Sequence, residues 1–172
     1  MNTLARPHDW EAPVTLPAVS APARILVPFD GSHCAERALS WAATVADAAG
    51  SEIVVVVAYE QPMTMRGRGA SYVEMARDEL ASEARELASE SVQLLTSRGL
   101  SARGVVVRGD PALAILETAE EEEVGLIICG RMGLTAEMGG ISGAVSRIRG
   151  LLTGGVAEKI HRHSSVPVLL VV

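Results

Sequence analysis

Apolar residues in this chain fall into two alternating textures: short unbroken runs, and longer stretches where they recur at helical spacing. The run from Arg24 to Phe29 ends in Asp30-Gly31-Ser32, as a buried strand does when it leaves into a turn. From His33 to Ala49, the residues Ala35, Ala38, Leu39, Ala42, Val45 and Ala46 mark one face of a helix, and Gly50 is placed to stop it. Glu52 to Ala58 is β-branched and continuous rather than alternating, which predicts a strand covered on both faces. Residues 60–71 read as a loop. Beyond it, Val73, Ala76, Leu80, Ala84, Leu87, Ala88, Leu94 and Leu95 form the stripe of a long amphipathic helix that Gly99 ends.

The second half keeps this rhythm. Ala102 to Arg108 is a Val-rich strand followed by Gly109. Asp110 is a good N-cap, and Pro111 sits at the first position of a helix reaching Glu123. Val124 to Cys129 predicts another strand, followed by a glycine-rich stretch, a helix from Val156 to His163 and a final strand from Val166 to Val172. Alternation of this kind predicts an α/β fold: an open sheet of five parallel strands joined by right-handed crossovers, with helices on both faces. Ligands of such sheets sit beyond the carboxyl ends of the strands, where the strand order switches. That rule points to Asp30, Ala58 with Tyr59, Gly109 and Gly130.

Composition narrows the function. At 172 residues the chain predicts one domain, preceded by an arm. The arm, residues 1–22, carries Pro7, Pro13, Pro17 and Pro22, which oppose helix and weaken strand pairing. Trp10 is its one sizeable apolar side chain, and no apolar stretch of a signal peptide is present. With 15 basic against 21 acidic residues the net charge is -6, which disfavours non-specific binding to nucleic acid or anionic lipid. Aromatics at 3% leave almost no stacking platform for single strands. The apolar runs fall far short of the roughly 18 residues that cross a bilayer, so no membrane span is expected. Cys34 and Cys129 cannot make a disulfide framework, and a cytoplasmic setting is expected.

Glycine usage supports the same end of the sheet. Eight of the 16 glycines fall between residues 130 and 155. Backbone N–H groups freed from Cβ atoms can turn toward an anion, and a following helix N-terminus favours negative charge.

On these residues the chain resembles the universal stress protein family. The matching pieces are RILVPFDGS (24–32), VVVRGDPALAILETAEEEEVGLIICGRMG (105–133) and GGVAEKIHRHSSVPVLLVV (154–172). The resemblance implies a domain over 23–172 with the flavodoxin-like strand order 3-2-1-4-5, and a homodimer formed through the last strand. It also implies an ATP site, with or without Mg, whose contacts fall on Pro28, Phe29, Asp30, Ala58, Gly109, Gly130, Arg131, Gly133, Gly154, Gly155 and Val156. Asp30 would contact adenine, Ala58 would pack beside the base, and Gly109 would face base and ribose.

The family's phosphate loop runs Gly, two residues, Gly, nine residues, then Gly with Ser or Thr. Gly130 and Gly133 match its first two glycines, and the context of the closing helix and strand matches Gly154 to the last. Twenty residues separate Gly133 from Gly154 instead of nine, so an insertion is expected near 135–150. Gly155 stands where the hydroxyl belongs, and Gly125 stands where many members carry Asp. Arg131, Arg147 and Arg149 can supply compensating charge.

Other chemistry fares worse. His161 and His163 are two apart on a helix and point to different faces. His33 and Cys34 are adjacent in sequence, which rarely gives the geometry of a thiolate and its base. Glu120 to Glu123 read as the solvated end of a helix. No catalytic or metal constellation emerges. Two functions stay open. One is an adenine-nucleotide-binding stress or regulatory module with little or no turnover, its ATP held more weakly than by the standard loop. The other is a module without nucleotide that meets an unidentified protein partner through residues 135–150.

Overall fold

The computed structural model describes residues 18–60, 70–133 and 155–172. The expectations for residues 1–17 of the arm, for the segment 135–150 and for Gly154 lie outside the described residues. Among the described residues nine elements alternate: β1 (Arg24–Pro28), α1 (His33–Ala49), β2 (Glu52–Tyr59), α2 (Ala70–Thr96), β3 (Ala102–Arg108), α3 (Pro111–Glu121), β4 (Leu126–Gly130), α4 (Val156–His163) and β5 (Val168–Val171). The strands form one sheet in the order β3-β2-β1-β4-β5. Every pairing is parallel, with Leu26 opposite Val54 and Ile127, and Cys129 opposite Leu170. This is the flavodoxin-like order.

The unbroken apolar strands are explained by what lies on each face. Ile25, Val27, Ile53, Val55, Val57 and Ile128 point to one side, where they meet α1 and the α2 residues Ala84, Ala88 and Leu95. Leu26, Val54, Val56, Ile127 and Cys129 point to the other, against Ala112, Ile115 and Ala119 of α3 and Ile160 of α4. A strand with both faces covered has no polar position to alternate with. Alanines at 35, 38, 42, 43 and 46 of α1 are buried, so that helix lies close to the sheet without large side chains.

Differences from the expected boundaries have local causes. α3 ends at Glu121 because Glu123 turns to a φ of 48° and the Val124 N–H reaches back to the Ala119 carbonyl. Val124 is therefore a buried residue of the turn, and β4 starts at Leu126. β5 starts at Val168 because Pro167 has no N–H, while the Val166 N–H is taken by the Ser164 hydroxyl.

Candidate functional site

The carboxyl ends of β1, β2, β3 and β4 bring Asp30, Tyr59, Gly109 and Gly130 to one edge of the sheet. Register puts Ala58 opposite Val107 and Tyr59 opposite Arg108, and the Gly109 N–H donates to the Tyr59 carbonyl at 3.0 Å. Pro28 closes β1 opposite Val56. The Phe29 N–H then donates to the Val56 carbonyl at 2.9 Å, and its ring is buried on the α1/α2 face.

The β1–α1 turn is built by two side chains. Asp30 Oδ1 accepts the Ser32 N–H at 3.1 Å. Ser32 is buried and caps α1, its hydroxyl oxygen accepting the Ala35 N–H at 3.1 Å. The start of β4's exit loop presses on this turn. A β-carbon at Gly130 would stand 2.7 Å from the carbonyl carbon of Cys34 and 2.9 Å from its oxygen. At Gly133 it would stand 2.7 Å from Asp30 Oδ2. At Gly130 the obstruction is backbone, so glycine alone fits there, whereas at Gly133 it is the end of the exposed Asp30 side chain; both contacts set Gly130 and Gly133 on the β1–α1 turn. The exposed Arg131 is anchored by its backbone, whose N–H donates to the Val171 carbonyl at 2.8 Å.

The other wall comes from the starts of α3 and α4. Asp110 Oδ1 accepts the Leu113 N–H at 3.0 Å, and Lys159 Nζ lies 3.4 Å from Oδ2 of the same carboxylate. The Leu113 N–H above all, and then Lys159, hold the Asp110 carboxyl below its ordinary value. Gly155 is the N-cap of α4 and supplies no side-chain cap; among the described residues, its chain neighbours aside, no atom lies within 4 Å of where its β-carbon would be. Val156, the first residue of α4, is exposed beside it.

The structure thus brings Gly133 against Asp30 and Gly130 against Cys34, and sets Gly109 and Gly155 beside the Asp110–Lys159 bridge. Sequence reading gave Ser32 and Lys159 no role. The Ser32 cap was detectable from its place three residues before Ala35; the Lys159 contact, made across 49 residues, had no local signal. A separate cleft of about 360 Å³ lies between α1 and α2, lined by Leu39, Leu87, Leu95 and Arg98 among others. Of the expected site residues it borders Phe29 alone. Through Phe29 and Gly31 it reaches the β1–α1 turn that carries Asp30, while Gly109, Gly130, Gly133 and Gly155 do not line it.

No group of three His, Cys, Asp or Glu among the described residues is arranged to hold a metal ion. Both cysteines are buried and neither forms a disulfide, and burial pushes the Cys129 thiol up to about 11, out of the reactive range.

Comparison with known proteins decides the family. The profile of the Universal stress protein family matches residues 23–172. The chain belongs to that family. A universal stress protein of Thermus aquaticus, encoded in the QAH/OAS sulfhydrylase 3' region, is 33% identical over 147 residues, covering 86% of this chain and 96% of that protein. Among solved structures, the universal stress protein UspA of Lactobacillus plantarum superposes with a TM-score of 0.73 at 16% identity, covering 90% of this chain and all of that one (100%). A universal stress protein in complex with cAMP superposes with a TM-score of 0.65 at 26% identity, covering 89% and 99% of the two chains.

Proposed function

We propose that this universal stress protein binds an adenine nucleotide at the carboxyl edge of its sheet, as a regulatory module with little or no turnover. The observation that carries the reading is the contact between the Asp30 carboxylate and Gly133, whose β-carbon would fall 2.7 Å from Oδ2. The contact supports a site in which Asp30 meets adenine and Gly133 belongs to the loop that receives phosphate. The cAMP complex of a relative at 26% identity supports an adenine ligand in this fold. ATP, with or without Mg, is the proposed ligand. The residues present fit it: glycines at 130 and 133 let the exit of β4 lie against the β1–α1 turn, and Gly155 heads α4 without a side-chain cap. The missing hydroxyl at 155 makes that binding weaker than a standard loop allows, by about tenfold if one hydrogen bond to a charged phosphate is lost.

Titration calorimetry with ATP tests the reading. Asp30→Ala is expected to weaken ATP binding while shifting the melting temperature by only a few degrees, since it removes one turn hydrogen bond of about 1 kcal/mol. Unchanged affinity in that variant would remove Asp30 from the site.

A homodimer through β5 is part of the same proposal. That edge strand carries no charged residue between Val166 and Val172, and Leu169 and Val172 are 40% and 58% exposed. Apolar sheet edges invite pairing. Light scattering at tens of micromolar is expected to report a dimer, and a monomer there would refute it. No helix among the described residues is long and apolar enough to cross a membrane, and the cytoplasm is the proposed compartment.

A further inference from the structure

The Asp110–Lys159 bridge has properties that a stabilising ion pair does not need. Lys159 lies one turn inside α4, where its N–H donates to the Gly155 carbonyl. A cation near the start of a helix opposes the helix dipole, whereas Asp110 at the head of α3 complements it. Side chains of a helix lean toward its N-terminus, and the Lys159 ammonium reaches the Asp110 carboxylate, 3.4 Å away. Both partners are about half exposed, at 53% and 48%, and a pair that open to water contributes little to stability. The bridge therefore holds a displaced cation at little energetic gain. It does so where α4 opens without a side-chain cap.

We propose that Lys159 is the side chain by which this site distinguishes phosphorylated adenosine from the bare nucleoside, Asp110 serving as the counter-ion it gives up when phosphate arrives. The inference rests on the nucleotide reading above. Phosphate oxygens offer the ammonium a charge-assisted bond and relieve its conflict with the α4 dipole. Asp110 loses little by release, because Oδ1 keeps the Leu113 N–H. Lys159 thus supplies from within the helix the interaction that Gly155 cannot make at its start. The neighbouring acid does not compete, since Glu158 is paired with Arg162 at 2.8 Å.

The test is calorimetric titration of the full chain with adenosine, AMP and ATP, using wild type, Lys159→Gln, Lys159→Arg and Asp110→Asn. Asparagine at 110 keeps the cap of α3 and removes only the charge. Lys159→Gln is expected to lower ATP affinity about tenfold and leave adenosine affinity unchanged, with an unaltered ligand-free melting temperature. Lys159→Arg is expected to restore ATP binding, and Asp110→Asn to strengthen it. An equal loss for adenosine and ATP in Lys159→Gln, or no loss for either, overturns the proposal. So does wild-type protein that binds all three compounds equally, which leaves the nucleotide reading standing. Wild-type protein that binds none of them overturns the nucleotide reading and this inference together.

Discussion

The two edges of the sheet are built from opposite materials. At the amino edge, charged residues close the fold. Arg24 begins β1 opposite Glu52, which begins β2, and its Nε lies 3.4 Å from the Glu52 carboxylate. Arg103 of β3 reaches the same Glu52 at 3.4 Å and grips the Glu122 carboxylate with both terminal nitrogens. Arg24 also donates to the Glu122 carbonyl at 2.7 Å, so the end of α3 is tied down by two strands. Pro22 fills the remaining gap, its carbonyl accepting the Ser51 hydroxyl at 2.6 Å. At the carboxyl edge, glycines gather beside the exposed Asp30 and the half-exposed Asp110–Lys159 pair. The amino edge is closed by a charged network around Glu52 and Glu122, whereas the carboxyl edge leaves its own charged groups exposed to solvent.

That contrast is broken most severely at Gly130. A methyl group there would collide with Cys34 backbone atoms at 2.7 to 2.9 Å, and neither the sheet nor the start of α1 can move aside without disturbing the core. Gly130→Ala is expected to cost about 1–3 kcal/mol in urea unfolding and to weaken ATP binding. Gly125→Ala is the matched control at the amino edge. Its β-carbon would meet Pro22 Cβ at 2.9 Å, and Pro22 lies before β1, where the chain can yield. A smaller loss is expected there, with ATP binding intact. Equal losses would show that the carboxyl edge is no more tightly interlocked than the amino edge.

Much of this contrast was legible in the sequence, for reasons that differ by region. Continuous β-branched runs such as Ile53–Val57 can only be strands covered on both faces, so the α/β alternation followed directly. Asp30, Gly109 and Gly130 could be assigned to the carboxyl edge because each ends or follows a strand, and the switch-point rule needs only strand ends. The amino-edge network was not found. Glu120 to Glu123 looked like a solvated helix end, whereas Glu122 is paired with an arginine 19 residues earlier in the chain. Such partners are chosen by strand register and leave no periodic trace. The place of Gly125 was equally hidden: the space an aspartate would need is occupied by Pro22.

Acid separates the two edges by a smaller effect. The Arg103 hydrogen bonds, foremost, hold the Glu122 carboxyl below its ordinary value of 4.5. A carboxyl depressed in the folded state favours folding above its ordinary value, and this contribution fades as pH falls through the folded value. Wild-type protein is therefore expected to lose more stability between about pH 5 and about pH 3 than Glu122→Gln does. At neutral pH that variant is expected to bind ATP normally, because its network lies at the opposite edge. Chemical unfolding across the pH range checks the first statement, and calorimetry the second. Identical acid profiles would mean that the network carries no linkage to folding.

The smallest change in stability is expected at Gly155, which makes it the cleanest probe of the open edge. The position has a φ of -58° and a ψ of 172°, a conformation that serine adopts freely, and no described residue beyond its chain neighbours lies within 4 Å of the new β-carbon. Serine is a preferred N-cap, and replacing glycine by it adds only a few tenths of a kcal/mol. The melting temperature of Gly155→Ser should therefore rise by about 1 °C. Its hydroxyl would also stand at the head of α4, where a phosphate can accept a charge-assisted hydrogen bond, so ATP affinity is expected to rise about tenfold. Titration of both proteins with ATP and with adenosine separates the two contributions. A gain for ATP alone places phosphate at the start of α4. A gain in melting temperature without any gain for ATP would mean that the hydroxyl only caps the helix, and that the phosphates lie elsewhere.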